Sequence, residues 1–238
     1  MNKSLLKKLV DCGFSIIPVD ENKTPIGAWK KYQTEQRTKI EIDSLTSPLF
    51  GLVTGYNDLE VIDLDLKVFS TLQEQNDFWN EYLAFLKDNI DDFDEKFVIY
   101  KTKNQGYHVL YRCKKISGNT KIARLKDHKE AVIESRGKFG MVVIYENKIS
   151  KLSYSEIKEI SERDRDIVWH ISKTYNYIDA AELEQPKLKE RTFDESIIKP
   201  WDDYNNKVSI FDIVGDDVKV VRQLNDKYIV KRVGSENP

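Results

Sequence analysis

Leu5, Leu6, Leu9 and Val10 recur at helical spacing, so Lys3 to Cys12 reads as an amphipathic helix stopped by Gly13, with a short strand from Phe14 to Pro18 behind it. Leu72, Trp79, Tyr82, Leu83, Leu86 and Ile90 form one apolar stripe and predict a longer helix. Thr38 to Glu41, Ser70 to Gln73 and Ser153 to Glu156 have capping-box spacing, in which a hydroxyl and an acid or amide three residues on satisfy free backbone N–H groups. They mark three helix starts. Between the helices the period changes to short β-branched and aromatic runs. Gly51 to Thr54, Leu59 to Leu66, Phe97 to Thr102, Tyr107 to Arg112, Ala131 to Glu134 and Met141 to Tyr145 read as strands of a mixed, largely antiparallel sheet. Turn signals at Gly55 to Asp58, Asn104 to Gly106, Ser117 to Asn119 and Gly137 to Gly140 separate them. The pattern predicts an α+β domain with several hairpins and with helices against one sheet face.

After Tyr177 the pattern is lost. The division expected is a main domain over residues 1–178, a charged linker over 179–200 without a sustained apolar stripe, and a small C-terminal segment over 201–238. In that segment Val218 to Val221 and Lys227 to Val233 read as a hairpin turned at Leu224 to Asp226.

Composition narrows the class. With 33% charged and 40% hydrophobic residues among 238, the chain is not a disordered one. Cys12 and Cys113 stand far apart among only three His, so neither a zinc knuckle nor a disulfide framework can be built. No signal-peptide core and no run of 18 apolar residues is present, which reads as a soluble, cytoplasmic protein with no membrane partner. A net charge of −2 argues against coating DNA by bulk electrostatics, yet the charges are unevenly placed. From Lys101 to Lys129 nine Lys and Arg stand against the single acid Asp127, while Asp88, Asp91, Asp92, Asp94 and Glu95 form an acidic run just upstream. Such asymmetry suits a polyanion on one face, and equally two solvated surfaces.

Asp-x-Asp occurs at Asp63 and Asp65, at Asp92 and Asp94, and at Asp164 and Asp166. Only the first pair is embedded in an apolar strand, where residues i and i+2 share a face, so the two carboxylates project together while Ile62, Leu64 and Leu66 pack inward. Paired carboxylates repel and suit a divalent cation such as Mg²⁺, which takes hard oxygen ligands; the bland alternative is a polar strand face bonded to neighbouring backbone. Glu134, at the end of another apolar strand, is the best third acid, with Arg136 aimed to the same side. His108 lies on a strand opening after Gly106, in the basic stretch, where a histidine is more often structural.

Together and in this order these residues resemble the primase-polymerase (Prim-Pol) domain of the archaeo-eukaryotic primase superfamily, found in phage and plasmid replication proteins. Val61 to Asp65 look like that family's Asp-x-Asp strand, Gly106-Tyr107-His108 like its Gly-x-His strand, and Val132-Ile133-Glu134 like its later acid. Gly13 to Pro18, Trp29 to Gln33 and Gly51 to Gly55 are also similar to the family. The third acid here is Glu where Asp is common, and the Pro-Pro-Ser turn that often follows is replaced by Ile144 to Asn147. The resemblance implies an RRM-like catalytic core flanked by helices and a template-directed nucleotidyltransferase, a DNA primase or polymerase acting on single-stranded DNA with nucleoside triphosphates. It implies Asp63, Asp65 and Glu134 as catalytic ligands of two Mg²⁺ or Mn²⁺ ions. His108, Arg136 and Lys103 would bind the nucleotide, Lys101 being equally placed to Lys103, and the basic stretch would track nucleic-acid backbone. Lys199 to Asn205 and Val233 to Ser235 resemble the joint to an ATPase in phage primase-helicases, and no Walker A sequence occurs, so the chain reads as an N-terminal piece with a helicase domain or partner. The rivals are a single-strand binding module with a decayed site, and a Toprim-like nuclease or primase, in which the Glu precedes the aspartates.

Overall fold

Asn2 opens the first helix by accepting the Ser4 N–H at 2.8 Å, and the helix, α1 (Lys3–Asp11), stops before Gly13, whose φ of +78° a side chain would disfavour. In the structure, a computed structural model, residues 2–177 are described throughout, together with the backbone of 218–224 and 227–232. Two further helices, α2 (Lys39–Ser44) and α3 (Leu72–Asn89), open on complete capping boxes, Thr38 with Glu41 and Thr71 with Glu74. The second box lies one residue later than the Ser70 to Gln73 spacing predicts. The Glu74 carboxylate, a stronger acceptor than the Gln73 amide, takes the Thr71 N–H at 2.9 Å. The Ser153 box caps only the single 3₁₀ turn Tyr154–Glu156. There the following chain is drawn out along a strand end, with Arg112 N donating to Lys158 O and Ile160 N to Arg112 O. The helix of this region, α4 (Glu162–Thr174), starts instead at Ser161, whose hydroxyl accepts Asp164 N–H at 3.0 Å.

The strands of residues 2–177 are β1 (Ile16–Val19), β2 (Leu49–Val53), β3 (Leu59–Leu64), β4 (Val98–Lys101), β5 (Tyr107–Arg112), β6 (Thr120–Arg124), β7 (Ala131–Arg136) and β8 (Met141–Val143). They form a five-stranded sheet of order β4-β5-β3-β7-β6 and a three-stranded sheet of order β1-β2-β8. All pairings between these strands are antiparallel, which sharpens the mixed, largely antiparallel expectation. The strand β6 is an addition to the predicted set. Its register on β7 shifts twice, and its two buried residues, Ile122 and Ala123, are adjacent, so the two-residue alternation is lost.

Ile62 and Leu64 of β3, with Val109 and Tyr111 of β5, pack beneath Trp79, Tyr82 and Leu86 of α3 and Val168 of α4. Leu59, Val61 and Leu110 point the other way, to Leu6 and Leu9 of α1 and to Ile16, Leu52 and Val142 of the smaller sheet. Helices were expected on one face only; strands apolar on both faces require cover on both, and α1 with the small sheet supplies the second. Within the helical side Glu60 is fully buried, taking Arg165 Nε at 2.6 Å and Nη2 at 2.9 Å and the Tyr111 hydroxyl at 2.7 Å. Burial, then the Glu60 charge, pushes the Tyr111 phenol well above its ordinary pKa.

The chain divides into two compact units, 1–177 and 178–238. In the second, β9 (Val218–Leu224) pairs antiparallel with β10 (Lys227–Arg232), the first strand running longer than the sequence pattern suggests. The linker expected over 179–200 lies outside the described residues. No helix among the described residues is long and apolar enough to cross a membrane.

Candidate active site

Asp63 is the one acid on the β3 face that otherwise carries Leu59 and Val61, and its direct cross-strand partners are His108 on β5 and Glu134 on β7. Cross-strand partners point to the same side of a sheet. The pairing continues outward to Tyr100 beyond His108 and to Lys121 beyond Glu134, so the three groups form the middle of one row across five strands. Asp65 follows β3 with extended backbone, its N–H bonded to Val132 O at 3.0 Å. Gly106 precedes Tyr107 and His108 for a steric reason, because a Cβ there would collide with Leu64 O.

Arg136 ties the row together. Its Nη2 is 2.5 Å from Glu134 Oε2 and its Nε 3.5 Å from Asp63 Oδ2, while His108 Nε2 stands 3.5 Å from Asp63 Oδ1. Burial pushes the Asp63 carboxyl pKa up, but the His108 hydrogen bond and charge, joined by the Arg136 guanidinium, outweigh it and hold the group below its ordinary value. Lys67 lies 3.1 Å from Asp65 and 2.8 Å from Glu130. His108 Nδ1 is buried without a hydrogen-bond partner.

Asp63, Asp65, His108 and Arg136 line a cleft of about 450 Å³, opposite β8 and with Trp29 and Phe139 at its walls. An adjoining hollow of about 260 Å³ is lined by Asp63, Asp65, Glu134 and Arg136 with Lys67 and Lys121. Five of the six residues singled out from the sequence are thus brought together. Lys103 is not: it is exposed on the β4–β5 turn and lines a separate hollow with Lys101 and Asn147, whereas its turn neighbours Thr102 and Asn104 line the cleft. Lys121, expected only as one of the basic stretch, stands opposite Glu134 on β6, and two further residues had not been singled out: Tyr145, whose ring centroid is 5.3 Å from that of His108, and Lys67, beside Asp65. A base two residues after Asp65 was the available signal for Lys67. The basic stretch is narrower than its composition suggests, because Lys114 is 2.7 Å from Asp58 and Lys115 is 2.9 Å from Asp166.

Among the described residues no three His, Cys, Asp or Glu side chains are grouped as a metal site. Arg136 and Lys67 lie against the carboxylates instead. The donor set nevertheless fits Mg²⁺ or Mn²⁺: three hard carboxylates, Asp63, Asp65 and Glu134, line one hollow.

An antiparallel sheet with an acid row in an open cleft, between helices on one face and a small sheet on the other, defines the class as an α+β domain with a polar, charged site. Residues 6–164 match the Prim-Pol family, bifunctional DNA primase/polymerase, N-terminal, and the chain belongs to that family. Membership implies DNA primase or polymerase activity with DNA and nucleotide substrates, and sets the Toprim-like alternative aside. No curated protein matches the chain.

Proposed function

We propose that the unit over residues 1–177 is a template-directed nucleotidyltransferase that makes or extends primers on single-stranded DNA. The observation that carries the reading is the row in which Asp63 stands between His108 and Glu134, within a cleft of about 450 Å³, a size suited to a nucleoside triphosphate.

In this reading Asp63, Asp65 and Glu134 hold two Mg²⁺ or Mn²⁺ ions. Bound there, such ions activate a 3′-hydroxyl and neutralise charge on the pyrophosphate leaving group. Asp63, kept ionised by its neighbours, needs no deprotonation before serving as a ligand. With cations held by these carboxylates, Arg136 would be released from Asp63 and Glu134 to face a triphosphate with a fork that matches two phosphate oxygens, while Lys67 would keep Glu130 at 2.8 Å. His108 presents Nε2 toward Asp63 at 3.5 Å, the outer edge of hydrogen bonding, so that nitrogen can turn to substrate at little cost while the buried Nδ1 has no bond to lose. Lys103, with Lys101, belongs at the margin, on the hollow beside the cleft. Lys121, Lys126 and Lys129, on and after β6, offer phosphate contacts to the template strand. The second unit would couple this one to a helicase domain or partner, in the cytoplasm of the host cell.

The test is incubation with primed and unprimed single strands, labelled nucleotides, and Mg²⁺ or Mn²⁺. Wild-type protein should incorporate nucleotide, and Asp63→Asn or Asp65→Asn should reduce incorporation on the order of 10²- to 10³-fold with single-strand binding retained. Retention of DNA with no incorporation under either ion would identify a single-strand binding module instead.

A further inference from the structure

Phe139 combines two features on the cleft wall, for although Lys23 of the same wall also has a left-handed φ, Phe139 couples it to an exposed aromatic ring. It is 69% exposed although apolar, and its φ of +65° is left-handed, where a bulky side chain is strained. Its turn, between β7 and β8, is held from both sides. Lys138 N donates to Ser117 O at 2.7 Å and Gly137 N to Asn119 Oδ1 at 3.1 Å. From the other side Thr54 Oγ1 donates to Gly137 O at 2.7 Å and Thr54 N to Gly140 O at 3.0 Å. A side chain at Gly137 would collide with Ser117 O, and one at Gly140 with Asn119 Oδ1, so the turn has no room to relax. Strain of this kind persists only where the surroundings over-determine it, and it concentrates at ligand sites.

An aromatic ring held out in water contributes little packing to the free protein. Its flat apolar face gains its value when something flat covers it. The cleft it borders has apolar walls in Trp29, Met141 and Val143 and charged groups in Asp63, His108 and Arg136, a division that matches the base and the triphosphate of a nucleotide. Resting on the polymerase reading above, we propose that Phe139 is a specificity-determining residue that stacks on the base of the incoming nucleotide. The incoming nucleotide is favoured over a template base because Phe139 lines the same cleft as the phosphate-binding groups His108 and Arg136, whereas Lys126 and Lys129, suited to a strand, lie beyond β6 and outside it. Stacking tolerates every base and rewards the larger ring system, so purines gain more than pyrimidines.

The experiment uses the full chain and the variants Phe139→Ala, Phe139→Trp and Phe139→Gly. It reads the KM for dATP and dTTP on a primed template, the binding of the same nucleotides with Ca²⁺ and no primer, the Kd for single-stranded DNA, and Tm. Phe139→Ala should raise the nucleotide KM and dissociation constant by about 5- to 150-fold, the worth of one base–aromatic stack, with the larger loss for dATP. Phe139→Trp should restore both, and the single-strand Kd should stay within about twofold, the resolution of such titrations. Phe139→Gly should lose nucleotide affinity as the alanine variant does while its Tm is not lowered, because glycine relieves the left-handed backbone. A rise in single-strand Kd with nucleotide KM unchanged would assign the ring to the template and overturn the proposal; so would wild-type nucleotide affinity in Phe139→Ala. If wild-type protein fails to incorporate yet binds nucleotide in a manner that depends on Phe139, the polymerase reading falls and the stacking residue stands.

Discussion

Asp63 and His108 are direct partners in the β3–β5 ladder, with His108 Nε2 3.5 Å from Asp63 Oδ1. That separation is at the outer edge of hydrogen bonding, so the pair is a contact ready to tighten or yield when substrate arrives. The His108→Ala variant should therefore raise the nucleotide KM by at least about tenfold, the worth of one charge-assisted hydrogen bond, with little change in the template dissociation constant. Steady-state kinetics beside single-strand binding check this. A drop in Tm without a kinetic change would mark the histidine as structural.

Arg136 lies against both Glu134 and Asp63, where it competes with any divalent cation for the same oxygens. Arg136→Gln should enlarge the Tm rise produced by Mn²⁺ in the absence of nucleotide, since a ligand that binds only the folded state stabilises it by an amount, RT ln(1 + L/Kd) at free concentration L, that grows as Kd falls. The same variant should weaken nucleotide binding. A smaller Mn²⁺ shift than in wild type would show that the guanidinium supports the cation site rather than filling it.

Glu60 and Arg165 join β3 to α4 with both side chains buried. Removing one partner strands a charge, so Glu60→Leu alone should cost about 3–5 kcal/mol in denaturant unfolding, whereas Glu60→Leu combined with Arg165→Met and with Tyr111→Phe, which removes the hydroxyl that Glu60 accepts, should recover most of that loss. Additive losses in the two single variants would show that the pair is not coupled.

All residues of the candidate site fall within the unit over 1–177. A chain ending at Tyr177 should keep primer extension on an annealed substrate at a rate near that of the full chain. De novo initiation is the activity expected to fall, because a tail can help hold the first nucleotide against the template. Normal folding with no extension would make residues 178–238 part of the site.

The aspartates were legible because β3 is apolar on both faces, leaving Asp63 and Asp65 as polar interruptions of a hydrophobic run, and Gly106 marked the turn from which the strand of His108 opens. What escaped is tertiary. The turn tip that sends Thr102 and Asn104 into the cleft and Lys103 away from it obeys no residue spacing. In β6 the bulged register erased the period, so Lys121 was legible as one of a basic stretch but not as the partner of Glu134. Thr71 prevailed over Ser70 as helix cap because two overlapping patterns competed and only the charged acceptor of the later one settles the choice. Phe139 and Trp29 reach the cleft from connecting segments, and the placement of the Phe139 turn depends on residues as distant as Thr54 and Ser117.

The strand β3 is bonded on both flanks, by β5 and β7, and each of those is bonded again on its far side by β4 and β6. Amide protons of such a strand exchange with solvent only through openings that disrupt the whole sheet, so Asp63 and its neighbours should be among the slowest-exchanging positions in the unit. The acid row is then an anvil rather than a jaw. Any closing motion during turnover falls to residues 102–106 at its edge and to the segment bearing Trp29, where deuterium uptake should respond to nucleotide while β3 stays silent.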